Sequence, residues 1–135
     1  MKKTVRVLVV DDSEAALAAV CAFLEEQEEI EVVGTARNGF ELLEKAEKLQ
    51  PDIVITDLHA PRMSGLEVML SLRTTMPSTR FIVLTELPKP GDAFPYPPSP
   101  ADRFLDSKVE PENVLGEIRR LFPEVFGRAP DPSYC

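Results

Sequence analysis

The chain is poor in cysteine and contains no long apolar run. Its 135 residues include two cysteines, Cys21 and Cys135, which form neither a metal-ligand motif nor a framework of several disulfides. No stretch approaches the ~20 apolar residues of a membrane span. Met1, Lys2 and Lys3 lead directly into a strand pattern rather than into the apolar stretch of a signal peptide. These absences favour a cytoplasmic protein without a membrane anchor.

Positive charge is also scarce. The chain has 15 lysines and arginines against 23 aspartates and glutamates, a formal net charge of -8. Such a charge repels a phosphate backbone, so we expect no direct nucleic-acid partner. Part of the acid is concentrated between Glu25 and Glu31, a run that is typical of a solvated helix end and loop.

Proline, by contrast, is abundant. The chain has 13 prolines, and six of them lie between Pro88 and Pro100. The apolar content of 44% is sufficient for one core of ordinary size. A proline cluster flanked by patterned apolar sequence therefore predicts one globular domain with one irregular segment.

Short β-branched runs alternate with helical patterns along the chain. Strands are predicted over 5–10, 30–33, 52–56, 80–84 and 103–106, and helices over 14–26, 39–50, 66–75 and 111–122. Ser13 and Asn38 are predicted N-caps, and Pro111 suits a helix N1 position. The apolar faces of the first, second and last helices are predicted to comprise Leu17, Val20, Cys21 and Leu24; Phe40, Leu43, Ala46 and Leu49; and Val114, Leu115, Ile118, Leu121 and Phe122.

Strands that are apolar throughout, each followed by a helix, predict a parallel sheet covered by helices on both faces. The expected architecture is a doubly wound α/β domain. The rhythm breaks over 86–101, where prolines remove amide donors, and we expect no regular fourth helix there. The domain is predicted to span 1–123, with a C-terminal tail over 124–135.

Polar side chains gather where the predicted strands end. Asp11 and Asp12 follow the first strand, Asp57 the third, Thr85 the fourth and Lys108 the fifth. Carboxylates forced together need a cation, and oxygen ligands suit Mg²⁺. A carboxylate beside Mg²⁺ can itself accept a phosphoryl group as an acyl phosphate. Hydroxyl and ammonium groups nearby can bind the oxygens of that group.

Three motifs carry a resemblance to a known family. VLVVDDSE (7–14), DIVITDLHAPRMSGLE (52–67) and FIVLT (81–85) resemble the receiver domain of two-component response regulators over residues 4 to 122. The resemblance implies a three-layer αβα, flavodoxin-like (CheY-like) fold with five parallel strands in the order 2-1-3-4-5. In this chain the fourth helix of that fold is expected to be disrupted by the proline-rich segment.

The resemblance also implies roles for individual residues. Asp57 is the phosphoacceptor, which receives its phosphoryl group from a sensor histidine kinase or a phosphotransfer protein. Asp12, Asp57 and the backbone carbonyl of His59 ligate Mg²⁺, and Asp11 assists through water. Taken alone, Asp11 is as well explained as a cap of the following helix.

Three further residues complete the expected switch. Thr85 is the hydroxyl that turns toward the phosphoryl group, and Lys108 binds its oxygens. Phe104 is either a mobile switch aromatic or an ordinary core residue. The signal is expected to pass to a downstream protein, with a homodimer as one form, through the surface of the helix before strand five, strand five and the last helix.

Three departures from the family pattern keep a second hypothesis open, and one of them is the expected loss of the fourth helix to the proline-rich segment. Lys108 lies one residue beyond the expected position, and Glu86, large and anionic, follows Thr85 where a small residue is usual. The leading hypothesis is a non-enzymatic phosphoryl-accepting switch, either a stand-alone protein or a fragment of a longer regulator. The alternative is a pseudo-receiver, a protein-binding module that no longer signals by phosphorylation. A Mg²⁺-dependent phosphohydrolase has little support, because no D-x-D pair occurs on the first or third strand.

Overall fold

Five parallel strands form the centre of the molecule. The computed structural model describes residues 4–57, 65–85, 103–106 and 110–126. Within them the strands lie in the order β2-β1-β3-β4-β5. The strands are β1 (Val5–Val10), β2 (Ile30–Ala36), β3 (Ile53–Asp57), β4 (Arg80–Thr85) and β5 (Arg103–Asp106), and the helices are α1 (Glu14–Glu25), α2 (Gly39–Leu49), α3 (Gly65–Thr75), α4 (Pro111–Leu121) and α5 (Pro123–Phe126).

Helices cover both faces of the sheet. Val7 and Val9 of β1 belong to a core cluster with residues of α1 and α4, whereas Leu8 and Val10 belong to a second cluster with residues of α2 and α3. Successive strand residues point to opposite faces, so one strand supplies both clusters. The predicted doubly wound parallel sheet is confirmed.

The two predicted N-caps are present. The Ser13 side chain accepts a hydrogen bond from the Ala16 backbone N–H at 3.2 Å, and the Asn38 side chain accepts one from the Glu41 N–H at 2.9 Å. Each satisfies a donor that lacks a partner within the first turn. At the other end of α2, Gln50 adopts a left-handed conformation with φ of 50°. Local sequence signals therefore determine where α1 and α2 begin and where α2 ends.

The predicted face of α2 is wrong at Phe40, whose exposed fraction is 63%. Ala46 is fully buried as predicted, and so is Leu42, which was not predicted. The predicted Leu43 and Leu49 are half-buried. Residues four apart share one face of a helix, so the buried pair determines the rotation of α2 on the sheet. With that rotation, Phe40 near the start of the helix faces solvent.

Strand β2 extends three residues beyond its predicted end, to residue 36 rather than 33. Pairing with β1 passes from Val32 opposite Val7 to Gly34 opposite Leu8, so Val33 is an extra residue at a register shift. An extra residue of this kind bends a strand and increases its twist. The glycine therefore lies inside the strand and does not end it.

Gly34 packs closely against α2. A Cβ atom at this position would lie 3.0 Å from Leu49 Cδ1 and 3.5 Å from Leu8 Cδ1. The first distance is shorter than ordinary van der Waals contact. The absent side chain therefore lets the end of α2 approach the edge of the sheet.

Helix α4 buries its predicted face through Val114, Leu115 and Ile118, and Phe122 is buried just beyond the end of the helix. The short α5 was not predicted from the sequence, and its Val125 packs against the same core cluster. Residues 127–135 of the predicted tail and the proline-rich segment between Pro88 and Pro100 lie outside the described residues. No helix in the described part of the chain is long and apolar enough to cross a bilayer.

We expect Gly34→Val to lower the free energy of unfolding by about 1–3 kcal/mol, because the added atoms overlap Leu49. The matched control is Gly116→Val on α4, where a Cβ atom would meet no other atom within 4 Å. This variant should change stability by less than ~0.5 kcal/mol. Urea titration followed by circular dichroism measures both. Equal losses in the two variants would contradict the packing explanation.

Candidate functional site at the carboxyl edge of the sheet

The carboxyl ends of the central strands meet at one edge. Val10, the last residue of β1, pairs with Thr56 of β3 on one side and with Ala36 of β2 on the other. Asp11 and Asp57 each follow one member of the β1–β3 pair. The register therefore places these two predicted site residues at the same edge of the sheet, at the ends of neighbouring strands.

The remaining predicted site residues on strands also lie at or near this edge. Asp57 pairs with Leu84, the residue before Thr85, and Thr85 pairs with Asp106 on β5. Phe104 lies two residues before Asp106 and pairs with Val83. For Asp57, Thr85 and Phe104 the structure describes the position on the strand.

Asp11 stabilises the turn between β1 and α1. Its backbone N–H donates to the Ala36 carbonyl oxygen at 3.0 Å, which extends the ladder by one residue. Its Oδ1 atom accepts a hydrogen bond from the Ser13 N–H at 2.9 Å. A side chain that bonds the backbone two residues on forms an Asx-turn. The half-buried carboxylate of Asp11 is thus already engaged in shaping the loop.

Asp12 has a different environment in the same turn. Its side chain is exposed, and no hydrogen bond or ion pair engages it within the described part of the chain. An exposed carboxylate beside an engaged one is the better placed of the two to bind a cation directly. The two adjacent aspartates therefore differ in environment, because the Asp11 carboxylate is held in the turn and the Asp12 carboxylate is exposed to solvent.

Several predicted residues lie outside the described residues, namely His59, Glu86 and Lys108. Within the described part of the chain, no group of three or more metal-ligating side chains occurs. The donor set assigned to Mg²⁺ is nevertheless chemically consistent, because carboxylate and carbonyl oxygens are the ligands that this hard cation prefers. The exposed Asp12 carboxylate fits that requirement.

One ion pair at this edge was not anticipated from the sequence. Arg37 Nη1 lies 3.1 Å from Glu14 Oε1, and the two side chains are 52% and 79% exposed. The pair links the first residue after β2 to the first residue of α1. Because the predicted second strand ended at residue 33, Arg37, which directly follows Ala36, was not among the predicted strand-end residues.

A groove of about 350 Å³ lies between α1 and β2, beside this ion pair. Leu17, Ala18 and Cys21 contribute to its lining. Burial raises the pKa of the Cys21 thiol, and the negative charge of Glu25 raises it further. Cys21 is half-buried against the core, as its position on the apolar face of α1 predicts, and its thiol stays protonated at neutral pH.

Comparison with known proteins identifies the class to which this fold and edge belong. Residues 7–119 match the family described as response regulator receiver domain. The match covers most of the chain, and the chain belongs to this family. The resemblance inferred from the three motifs is therefore confirmed.

Curated relatives show the same relationship. The chain is 30% identical to a protein-glutamate methylesterase/protein-glutamine glutaminase of Clostridium acetobutylicum, over 95% of this chain and 40% of that protein. It is 26% identical to the response regulator protein VraR of Staphylococcus saprophyticus, over 87% of this chain and 56% of that protein. The chain thus spans roughly half the length of these relatives or less.

Solved structures support the fold. The response regulator domain of Thermotoga maritima CheB superposes with a TM-score of 0.74 and 28% identity, covering 94% of this chain and 99% of that chain. Chemotaxis response regulator CheY4 of Vibrio cholerae gives a TM-score of 0.75 and 30% identity, covering 87% of this chain and 98% of that chain. The flavodoxin-like, CheY-like fold is confirmed by these neighbours.

We expect Asp11→Ala to lower the free energy of unfolding by about 1 kcal/mol, because the Ser13 N–H loses its acceptor. Asp11→Asn keeps an acceptor oxygen at the same place and should recover most of that loss. Asp12→Ala should change stability by less than ~0.5 kcal/mol. Urea titrations in EDTA compare the three variants without bound cations. An Asn variant as unstable as the Ala variant would show that the Asx-turn is not the cause.

Proposed function

We propose that this receiver domain is a phosphoryl-accepting switch in which Asp57 is the acceptor. The observation that carries the proposal is the register of β1 and β3, which sets Asp57 beside the turn that bears Asp11 and Asp12. Membership of the receiver family and the motif around Asp57 support the same residue. The donor is a phosphohistidine of a sensor kinase or a phosphotransfer protein.

The proposed reaction is a single phosphoryl transfer. A carboxylate oxygen of Asp57 attacks phosphorus and forms a new P–O bond as the P–N bond to the donor histidine breaks. The histidine nitrogen leaves with the electron pair, and the product on the chain is an acyl phosphate. Positioning and charge stabilisation supply most of the catalysis in such transfers.

A divalent cation belongs to this proposal. Asp12, Asp57 and the backbone carbonyl of His59 would hold Mg²⁺, with Asp11 contributing through water. When bound there, Mg²⁺ supplies positive charge to the phosphoryl oxygens. Asp11 contributes in a second way that its contacts support, because its hydrogen bond to the Ser13 N–H holds the loop that carries Asp12.

Thr85 and Lys108 are proposed to bind the phosphoryl group on Asp57. The Thr85 hydroxyl donates a hydrogen bond to a phosphoryl oxygen, and the Lys108 ammonium pairs with another. Phe104, two residues before Asp106, is the candidate aromatic that changes its packing with Thr85. Phosphorylation would then bias a two-state equilibrium toward the form that a partner protein binds.

Output is proposed to pass through a protein partner in the cytoplasm, with a homodimer as one form of the phosphorylated state. In this proposal the chain itself turns over no external substrate and binds no nucleic acid directly, in line with its charge of -8. The methylesterase and glutaminase activities in a relative's name belong to a protein of which this chain matches 40%. Those activities are not part of the proposal.

A pseudo-receiver remains the second candidate, and specific residues favour it. Glu86 would place a negative charge next to Thr85, where it repels an incoming phosphoryl group. Lys108 is displaced by one residue, which on a regular strand turns a side chain to the other face. In this alternative the domain keeps its fold and binds its partner without phosphorylation.

Incubation with acetyl phosphate and Mg²⁺ separates the two candidates. We expect intact-mass spectrometry to show one added phosphoryl group on the wild-type chain and none on Asp57→Asn, which keeps the shape of the side chain but removes the nucleophile. EDTA should abolish the adduct, because the cation is lost. Asp12→Ala should lower its yield under the same conditions.

A control and an opposite outcome complete this experiment. Circular dichroism of Asp57→Asn should match that of the wild type, so that loss of the adduct reports chemistry rather than unfolding. Absence of an adduct on the wild type at any Mg²⁺ concentration would favour the pseudo-receiver. An adduct that persists in Asp57→Asn would show that another residue is the acceptor.

A further inference from the structure

The carboxyl edge of the sheet poses an electrostatic problem for an anionic phosphodonor. Asp11, Asp12 and Glu14 lie within four consecutive residues there, and the register adds Asp57 on the neighbouring strand. The whole chain carries a formal charge of -8. Like charges at this density repel a phosphate group before it reaches Asp57. A cation of the chain itself at this edge would offset that repulsion.

Arg37 is the residue that the topology places there. Ala36 and Thr56 pair with the same residue, Val10, from opposite sides of β1. Arg37 and Asp57 are the next residues after this paired level. Two ideal inter-strand spacings correspond to about 10 Å between their Cα atoms. Arg37 therefore lies on the β2 side of the edge, and the turn that bears Asp11 lies between it and Asp57.

No other cation occupies the described turns at this edge. The strand β1 is followed directly by Asp11, Asp12 and Ser13, and β2 is followed by Arg37 and Asn38. Lys45 lies further along α2, and its ammonium group is bonded to the Thr35 carbonyl and lies near Glu41. Within the described turns at this edge, Arg37 is thus the positive group available to an anion that approaches Asp57.

The present partner of Arg37 is easily replaced. The guanidinium is held by Glu14 at 3.1 Å in a pair whose members are 52% and 79% exposed. Exposed pairs of this kind contribute about 0–1 kcal/mol. Guanidinium groups bind phosphate oxygens in the same planar geometry as carboxylates. A phosphate can therefore exchange with the Glu14 carboxylate at little cost.

We propose that Arg37 is a specificity-determining residue that draws anionic phosphodonors to Asp57, and that Glu14 occupies its guanidinium when no donor is present. The inference rests on the proposed phosphoryl transfer to Asp57. Its ligand class is a dianionic phosphate group on an acyl phosphate or on a phosphohistidine. Arg37 takes no part in bond making; it raises the local concentration of donor and orients it.

The test compares two donors that differ in charge. Acetyl phosphate is a dianion at neutral pH, whereas phosphoramidate carries the smaller net negative charge. At low ionic strength, Arg37→Gln should lower the second-order rate constant with acetyl phosphate about two- to four-fold, and that with phosphoramidate by a smaller factor. Arg37→Lys should stay close to wild type, and Glu14→Gln should raise the acetyl phosphate rate. In ~1 M salt the differences should vanish.

The chain offers a matched control pair. Arg120, whose side chain is 63% exposed, and Glu117, whose side chain is 15% exposed, form an ion pair at 2.8 Å in the last turns of α4. Because a helix that follows a strand of a parallel sheet generally runs antiparallel to it, we expect this pair to lie toward the opposite edge. Arg120→Gln and Glu117→Gln change the net charge by the same amounts and should leave both rate constants unchanged.

The outcomes distinguish this inference from the proposed function. A wild-type chain that neither donor phosphorylates would overturn both. Three outcomes would overturn the inference alone. The first is a rate constant that is the same in the wild type and in Arg37→Gln. The others are an equal fall in the rate constant with both donors, and an equal fall in Arg120→Gln. A donor-dependent and salt-dependent loss confined to Arg37→Gln supports it.

Discussion

The pairing of β1 with both neighbours is the constraint on which the rest of the structure depends. Val10 pairs with Ala36 on one side and Thr56 on the other, and this register alone determines which residues share the carboxyl edge. The same strand supplies both core clusters, since Val7 and Val9 face one helical layer and Leu8 and Val10 the other. A shift of one residue would exchange these faces and would move Asp11 away from the level of Asp57. Core packing and site geometry are therefore consequences of one set of backbone hydrogen bonds.

The proposed phosphoryl transfer places two opposite electrostatic requirements on this edge. In the proposed function, a cation must be attracted to these carboxylates, yet an anionic phosphate must also approach them. The contacts of Asp11 and Asp12 suggest how the first requirement is met, because one carboxylate shapes the turn while the other stays exposed to solvent. The ion pair of Arg37 and Glu14 bears on the second requirement, since its cation is held close by but weakly. A cation beside the site can thus offset the repulsion of an anion while the carboxylates of the site stay in place.

Most of the fold could be predicted from local patterns, and the exceptions have physical causes. Apolar β-branched runs indicated the buried strands, and Ser13 and Asn38 indicated the helix starts through their capping side chains. The face of α2 was wrong at Phe40 because an apolar residue near a helix end fits more than one stripe, and packing against the sheet decides among them. Gly34 suggested a strand end, but it lies inside β2, where a Cβ atom would lie only 3.0 Å from Leu49 Cδ1. Arg37 was overlooked because its significance arises from pairing across strands, which no local pattern reveals.

The central claim is that phosphoryl transfer ends on Asp57 and on no other carboxylate of this edge. Borohydride reduction of the acyl phosphate, followed by peptide mass spectrometry, locates the acceptor, because reduction converts a phosphorylated aspartate to homoserine. We expect homoserine at position 57 alone after treatment with acetyl phosphate and Mg²⁺. Homoserine at position 11 or 12, or at no position under conditions that phosphorylate a known receiver domain, would contradict the claim.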